Sequence, residues 1–155
     1  MGGRLNSQDT TAVDGLDDFA QSFAKALFAV APELRAHARA HDGALEIELT
    51  PGPARPDTTF WISTADREVT VGFSMFHTHF KWPPHADSWT RDPIEFVLSL
   101  MADETLVEVW TLNGAWYLSR ILAADEEPDL TRMQPGHVVH LRSWSGARDR
   151  TIRER

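Results

Sequence analysis

The first clear pattern begins at Asp14. Leu16, Phe19, Phe23, Leu27, Val30 and Leu34 recur at spacings of three and four, which lays them on one stripe of an amphipathic helix. Asp14, Asp17 and Asp18 stand where the N-terminal end of a helix dipole favours negative charge. Pro32 lacks a backbone donor and predicts a kink or a second helix begun by proline; Gly43, after His41-Asp42, predicts the stop. The polar face is not strongly basic, so the stripe reads as a helix lying on a core rather than on a membrane. Residues 1–12 are polar and Gly-containing and read as a frayed tail.

The period then changes to two. Leu45-Glu46-Ile47-Glu48-Leu49 alternates as a strand with one wet face. Pro51 to Pro56 is a loop, Thr58 to Ser63 a second strand, and Glu68 to Phe80 a long third one. Lys81 to Asp92, with Pro83-Pro84, reads as an irregular excursion. Asp92-Pro93-Ile94-Glu95 predicts a helix start with a capping aspartate and proline at the first position; Phe96, Val97, Leu100 and Met101 make its buried stripe. Leu106 to Leu112 and Ala115 to Leu122 are β-rich runs separated by Asn113-Gly114, the preferred pair for a two-residue hairpin. Asp125 to Asp129 makes an acidic loop, and His137 to Trp144 a last strand.

The order is therefore α-β-β-β-α-β-β-β. Strands in runs joined by short turns predict an α+β fold: an antiparallel sheet of about six strands with two helical segments packed on one face. Residues 13–146 read as one domain, with 1–12 a flexible N-terminal tail and 147–155 a basic C-terminal one. No repeat interrupts it.

Within this frame the side chains with chemical potential are few. His77 and His79 are two apart on a strand, so both imidazoles point the same way and could meet one divalent metal ion. If the strand from Glu68 to Phe80 is regular, they continue the apolar face of Val69, Val71, Phe73 and Met75, where a histidine serves the core. No Gly-x-Ser-x-Gly elbow, dinucleotide fingerprint or phosphate loop occurs. Acid pairs such as Glu46/Glu48 and Asp17/Asp18 fall on wet faces, so no catalytic residue is assigned. Trp61, Trp110 and Trp116 sit inside strands and are expected in the core. Trp82, Trp89 and Trp144 lie in or beside loops and, with Asp87 and the acidic Asp125, Glu126 and Glu127, form the expected partner-binding set, since exposed Trp is common at binding hot spots.

Composition changes the picture in three ways. Six Trp and eight Phe among 155 residues supply enough apolar area for a real core. The absence of Cys removes disulfides, thiolate ligands and a Cys nucleophile. It suits the cytoplasm, which is the expected location because no stretch resembles a signal or a membrane span. The net charge of −8 is uneven: residues 142–155 hold five Arg against Asp149 and Glu154, a net of +3, leaving −11 on the first 141. An acidic body repels phosphate backbones and favours a basic protein partner.

Two resemblances follow. Gly72 before His77-Thr78-His79, and Pro135-Gly136 before His137 and His140, resemble the two motifs of the cupins, which would imply a metal-binding domain or enzyme using His77 and His79. No Glu follows His79 before residue 95, where the cupin pattern wants a ligand. Val69-Thr70-Val71-Gly72-Phe73, His77-Thr78-His79-Phe80, the Asp92-Pro93 helix and the closing Arg142-Ser143-Trp144-Ser145-Gly146 resemble, in layout, small immunity proteins of bacterial polymorphic toxin systems. That resemblance implies a non-enzymatic binder, without cofactor, that neutralises a cognate toxin domain. A third expectation is a small-ligand pocket near Trp82, Trp89 and Trp144.

Overall fold

Nine strands in two antiparallel sheets carry the chain in a computed structural model that describes residues 13–52, 55, 57–85 and 92–154. Helix α1 spans Asp18–Val30, capped by Asp17, whose carboxylate accepts from Ala20 N at 2.7 Å. At 13 residues it would be marginal alone. Burial of Ala20, Phe23, Ala24, Leu27 and Phe28 holds it instead. As the proline predicts, α1 stops at Val30 and a 3-10 turn runs over Pro32–His37.

The first sheet is a meander of β1 (Ala38–His41), β2 (Ala44–Leu49), β3 (Phe60–Ser63), β4 (Val69–Phe73) and β5 (Phe76–Phe80), paired in chain order. Helix α2 (Pro93–Met101) follows, capped by Asp92, which accepts from Ile94 N. The second sheet has the order β7-β6-β8-β9, from β6 (Thr105–Leu112), β7 (Ala115–Ala123), β8 (His137–Arg142) and β9 (Arg150–Arg153). One core joins α1, the inner face of the first sheet (Leu45, Ile47, Phe60, Ile62, Val69, Val71, Phe73, Phe80), Phe96, Val97 and Leu100 of α2, and Val107 and Val109 of β6. Leu106, Leu122 and Leu141 form a smaller cluster in the second sheet.

The α+β class and antiparallel pairing are as expected; the single six-stranded sheet with helices on one face is not. Three local events make the difference. Asp42-Gly43 is a hairpin turn with both residues at positive φ, 47° and 84°, and so creates β1 from a segment read as the end of a helix. Ser74 and Met75 turn the long third strand back on itself, pairing Phe73 with Phe76 and Val69 with Phe80. Arg150–Arg153, in the segment read as a tail, adds an edge strand to β8. No helix among the described residues is long and apolar enough to cross a membrane.

Candidate functional site

The turn at Ser74-Met75 decides where His77 and His79 point. Had β4 continued, they would face the core; the reversal puts Phe76 and Phe80 inward and leaves both histidines exposed on the outer face of the first sheet. Their rings meet edge to face at 5.4 Å. His77 lies beside Trp61, and His79 Nδ1 engages Glu68 and, at 3.0 Å, Thr70 Oγ1. No three His, Asp or Glu side chains among the described residues gather as a metal would require.

Of the expected tryptophan trio, Trp82 and Trp144 fall within the described residues. Trp82 packs edge-on against Phe23 at 5.3 Å, and its Nε1 donates to Ser22 Oγ of α1. Trp144 packs against Phe60 at 5.0 Å and Phe73 at 6.3 Å, at the margin of the core. Both are half-buried packing residues. Asp87 and Trp89 lie outside the described residues. Asp125, Glu126 and Glu127 are exposed. Glu126 accepts from Ala123 N, and Glu127 pairs with Arg150. Of the tryptophans expected in the core, Trp110 is buried and Trp61 half-buried, whereas Trp116 is 55% exposed.

A different cleft, of about 710 Å³, lies between the second sheet and the loop that follows β7. Its floor is Glu108 and Trp110 of β6, its near wall Tyr117 and Arg120 of β7, and its far wall Asp129, Arg132 and His137. Glu108 is fully buried, a carboxylate in the middle of an apolar strand. Such a charge must be paired. Arg120, directly across the ladder, donates Nε to Oε1 and Nη2 to Oε2, each at 3.1 Å, and Trp110 Nε1 also donates to Oε1.

The pairing depends on a bulge. An uninterrupted two-residue hairpin from Leu112↔Ala115 would set Ser119 opposite Glu108. The register slips between Trp110 and Thr111, so that Trp110 pairs Leu118 while Thr111 pairs Trp116. Tyr117 is the extra residue, and it is 52% exposed. Its ring lies 5.1 Å from that of His137, which also meets Trp110 at 5.5 Å, edge on. His137 Nδ1 accepts from Gln134 N, so in the neutral ring the proton sits on Nε2. At the rim, hydrogen bonds from Thr131 Oγ1 and N hold the Asp129 carboxyl below its ordinary range, helped by Arg132 and Arg120.

Both oxygens of Glu108 are occupied by donors from Arg120 and Trp110, which leaves no free carboxylate for acid–base work at that position. A larger groove of about 860 Å³ along α1 is lined by Asp14, Asp18, Gln21, Ser22 and Lys25, with Arg35 over the Phe28 ring, and none of its lining charges is buried. The signal for the cleft was present in the sequence as Glu108 within Leu106 to Leu112; its partner was hidden by the bulge. Compared with known proteins, the chain matches no protein-family model, no curated protein and no solved structure at a significant level.

Proposed function

We propose that this chain is a non-enzymatic protein-binding module whose contact face is the tip of the β6–β7 hairpin together with the acidic loop beside the cleft. One observation carries the reading: Trp116 and Tyr117, adjacent in sequence, are both more than half exposed on β7, an edge strand of the second sheet. Large aromatic side chains left in water at an edge are characteristic of binding surfaces, where Trp, Tyr and Arg dominate the energy. Leu112 and Leu130 extend the apolar area, and Arg120, fixed by Glu108, supplies a rigid cation at its border.

The loop carrying Asp125, Glu126 and Glu127, which leaves the end of β7 remote from the hairpin turn, adds exposed negative charge to the same sheet, and the excess of −11 over residues 1–141 acts in the same direction. Together they favour a basic partner, drawn in by long-range attraction. A toxin domain neutralised in the producing cell's cytoplasm, as the immunity-protein resemblance implies, is the partner class that fits this chemistry. The test is a titration calorimetry measurement between the full chain and the domain encoded by the adjacent gene. Binding should be micromolar or tighter and should weaken by about 30-fold, roughly 2 kcal/mol, in Trp116→Ala or Tyr117→Ala. A neighbour that forms no complex at micromolar concentration defeats the toxin reading; a complex insensitive to both variants defeats the contact face.

A further inference from the structure

On the opposite side of the second sheet, where it meets the turn between β4 and β5, a smaller cleft of about 300 Å³ gathers His140 and Arg142 of β8, Arg153 of β9, Trp116 of β7, and Ser74 and Asp57. The register explains the convergence. Val138 pairs Arg153 and His140 pairs Thr151, so alternate residues 138, 140 and 142 share a face with 151 and 153. Thr111, between Trp116 and Val138 in the ladder, adds a hydroxyl to the same face.

In a chain of net charge −8, this concentration of cations is unusual. Among the described residues, no carboxylate lies within ion-pair distance of the Arg142 or Arg153 guanidinium, while the other close pairs of the fold satisfy Arg39, Arg55, Arg120 and Arg150. Among the described residues, Asp57 is the one acidic group lining the cleft. Arg142 Nη2 faces His140 Nδ1 at 3.4 Å, and Thr151 Oγ1 lies 3.1 Å from the same nitrogen. A guanidinium only donates, so Nδ1 accepts and the neutral imidazole carries its proton on Nε2, as a further donor.

We propose that this cleft is a binding site for a small phosphate monoester, its phosphate held by Arg142, Arg153 and His140 and its organic group laid against Trp116. Paired guanidinium forks match phosphate oxygens in geometry and charge. The volume suits a small ligand, at the lower end of the usual range. An aromatic wall beside the cations favours a planar substituent over the bare anion. This site lies on the other face of the sheet from the cleft at Glu108; it shares Trp116 with the proposed protein-contact face, but its cations, Arg142 and Arg153, stand outside that face.

The experiment titrates the full chain at pH 7 and low salt with inorganic phosphate and, separately, with phenyl phosphate, by calorimetry and by the imidazole NMR signal of His140. Both probes should bind with a dissociation constant of about 10 mM or tighter, phenyl phosphate about threefold or more tighter than phosphate. Binding should also raise the pH at which His140 titrates, because a dianion beside it stabilises the imidazolium. Arg142→Gln and Arg153→Gln should each weaken both probes by about tenfold. Trp116→Ala should remove only the preference for phenyl phosphate. Arg142→Lys, which keeps the charge but loses the fork, should fall between wild type and Arg142→Gln, and guards against a misfolded variant. No saturable binding, or binding unchanged in both Arg→Gln variants, overturns the site. Equal affinity for the two probes overturns the role of Trp116 and with it the monoester in favour of free phosphate.

Discussion

Glu108 and Arg120 face each other across the β6–β7 ladder because one extra residue, Tyr117, shifts the register between them and the hairpin turn. Glu108 is fully buried and Arg120 is about half exposed, so the pair is unequal. Removing the arginine strands a carboxylate in the sheet, whereas removing the carboxylate releases a cation to water. Arg120→Ala should therefore destabilise the fold by about 3 kcal/mol, at the low end for a broken buried pair because water screens part of it. Glu108→Leu with Arg120→Met should recover most of that loss. Urea unfolding of the two variants checks that the stranded carboxylate carries the cost; equal losses for Arg120→Ala and the double variant would refute it.

How much of this was legible beforehand depended on the turns. Asn113-Gly114 has the positive φ values, 50° and 82°, that its residue types predict, and Asp92-Pro93 caps α2 as expected. Asp42-Gly43 carries the same hairpin signal, but after a helical stripe its glycine equally predicts a helix stop. Ser74-Met75 lacks the Gly, Asn or Asp that marks a tight hairpin; Ser74 takes φ 57° where β4 pairs with β5. That one unsignalled turn reversed the face of His77 and His79. The bulge at Tyr117 was equally silent, since only the burial of Glu108 in three dimensions shows why the register must slip. Strand propensity predicts Trp116 in the core, yet it stands near the hairpin turn and is 55% exposed.

The indole of Trp61 lies over Gly72 of the neighbouring strand, where a Cβ would stand 2.2 Å from its ring. The backbone at Gly72 is not left-handed, so alanine is acceptable in conformation and even preferred in a strand. The cost of Gly72→Ala is then the displacement of the half-buried indole, about 1 kcal/mol. In a Trp61→Val background the same substitution should become neutral or stabilise by roughly 0.5 kcal/mol. A double-mutant cycle in urea reads the sign change. If Gly72→Ala costs the same in both backgrounds, the close approach of the indole is not what requires glycine.

Burial, then the cations Arg142 and Arg153, lower the affinity of His140 for a proton; Asp57 opposes them weakly. The folded state thus binds fewer protons at this ring than the unfolded chain. Stability rises with pH wherever the unfolded state holds more protons. The native state therefore loses stability as pH falls below the ordinary imidazole value of about 6.5 and regains it above. Replacing the ring by His140→Asn should flatten the thermal midpoint between pH 5 and 7 relative to wild type. A wild-type midpoint independent of pH there, or one that rises on acidification by the same amount in both proteins, would count against the lowered proton affinity.

Arg55 ties the loop after β2 to the turn between β8 and β9. Its Nη1 pairs with Asp149, and Nη2 donates to the carbonyls of Ser143 at 2.8 Å and Trp144 at 2.7 Å. Asp149 Oδ1 in turn accepts from Ser143 N at 2.7 Å. The partners sit on different sides of the guanidinium, so a planar fork reaches all three and a single ammonium cannot. Gly146 packs against the same guanidinium, where a Cβ would come within 3.1 Å of Nη1. Both ends of the ion pair are largely buried, which also limits screening by salt. Arg55→Lys should therefore lose about 2 kcal/mol, nearly as much as Arg55→Ala, because an ammonium that reaches one partner leaves others of the three without their donor. Unfolding of the two variants in urea, at 0.1 M and 1 M salt, separates geometry from charge: if Arg55→Lys retains wild-type stability at low salt and loses it at high salt, Arg55 acts as a charge and not as a fork.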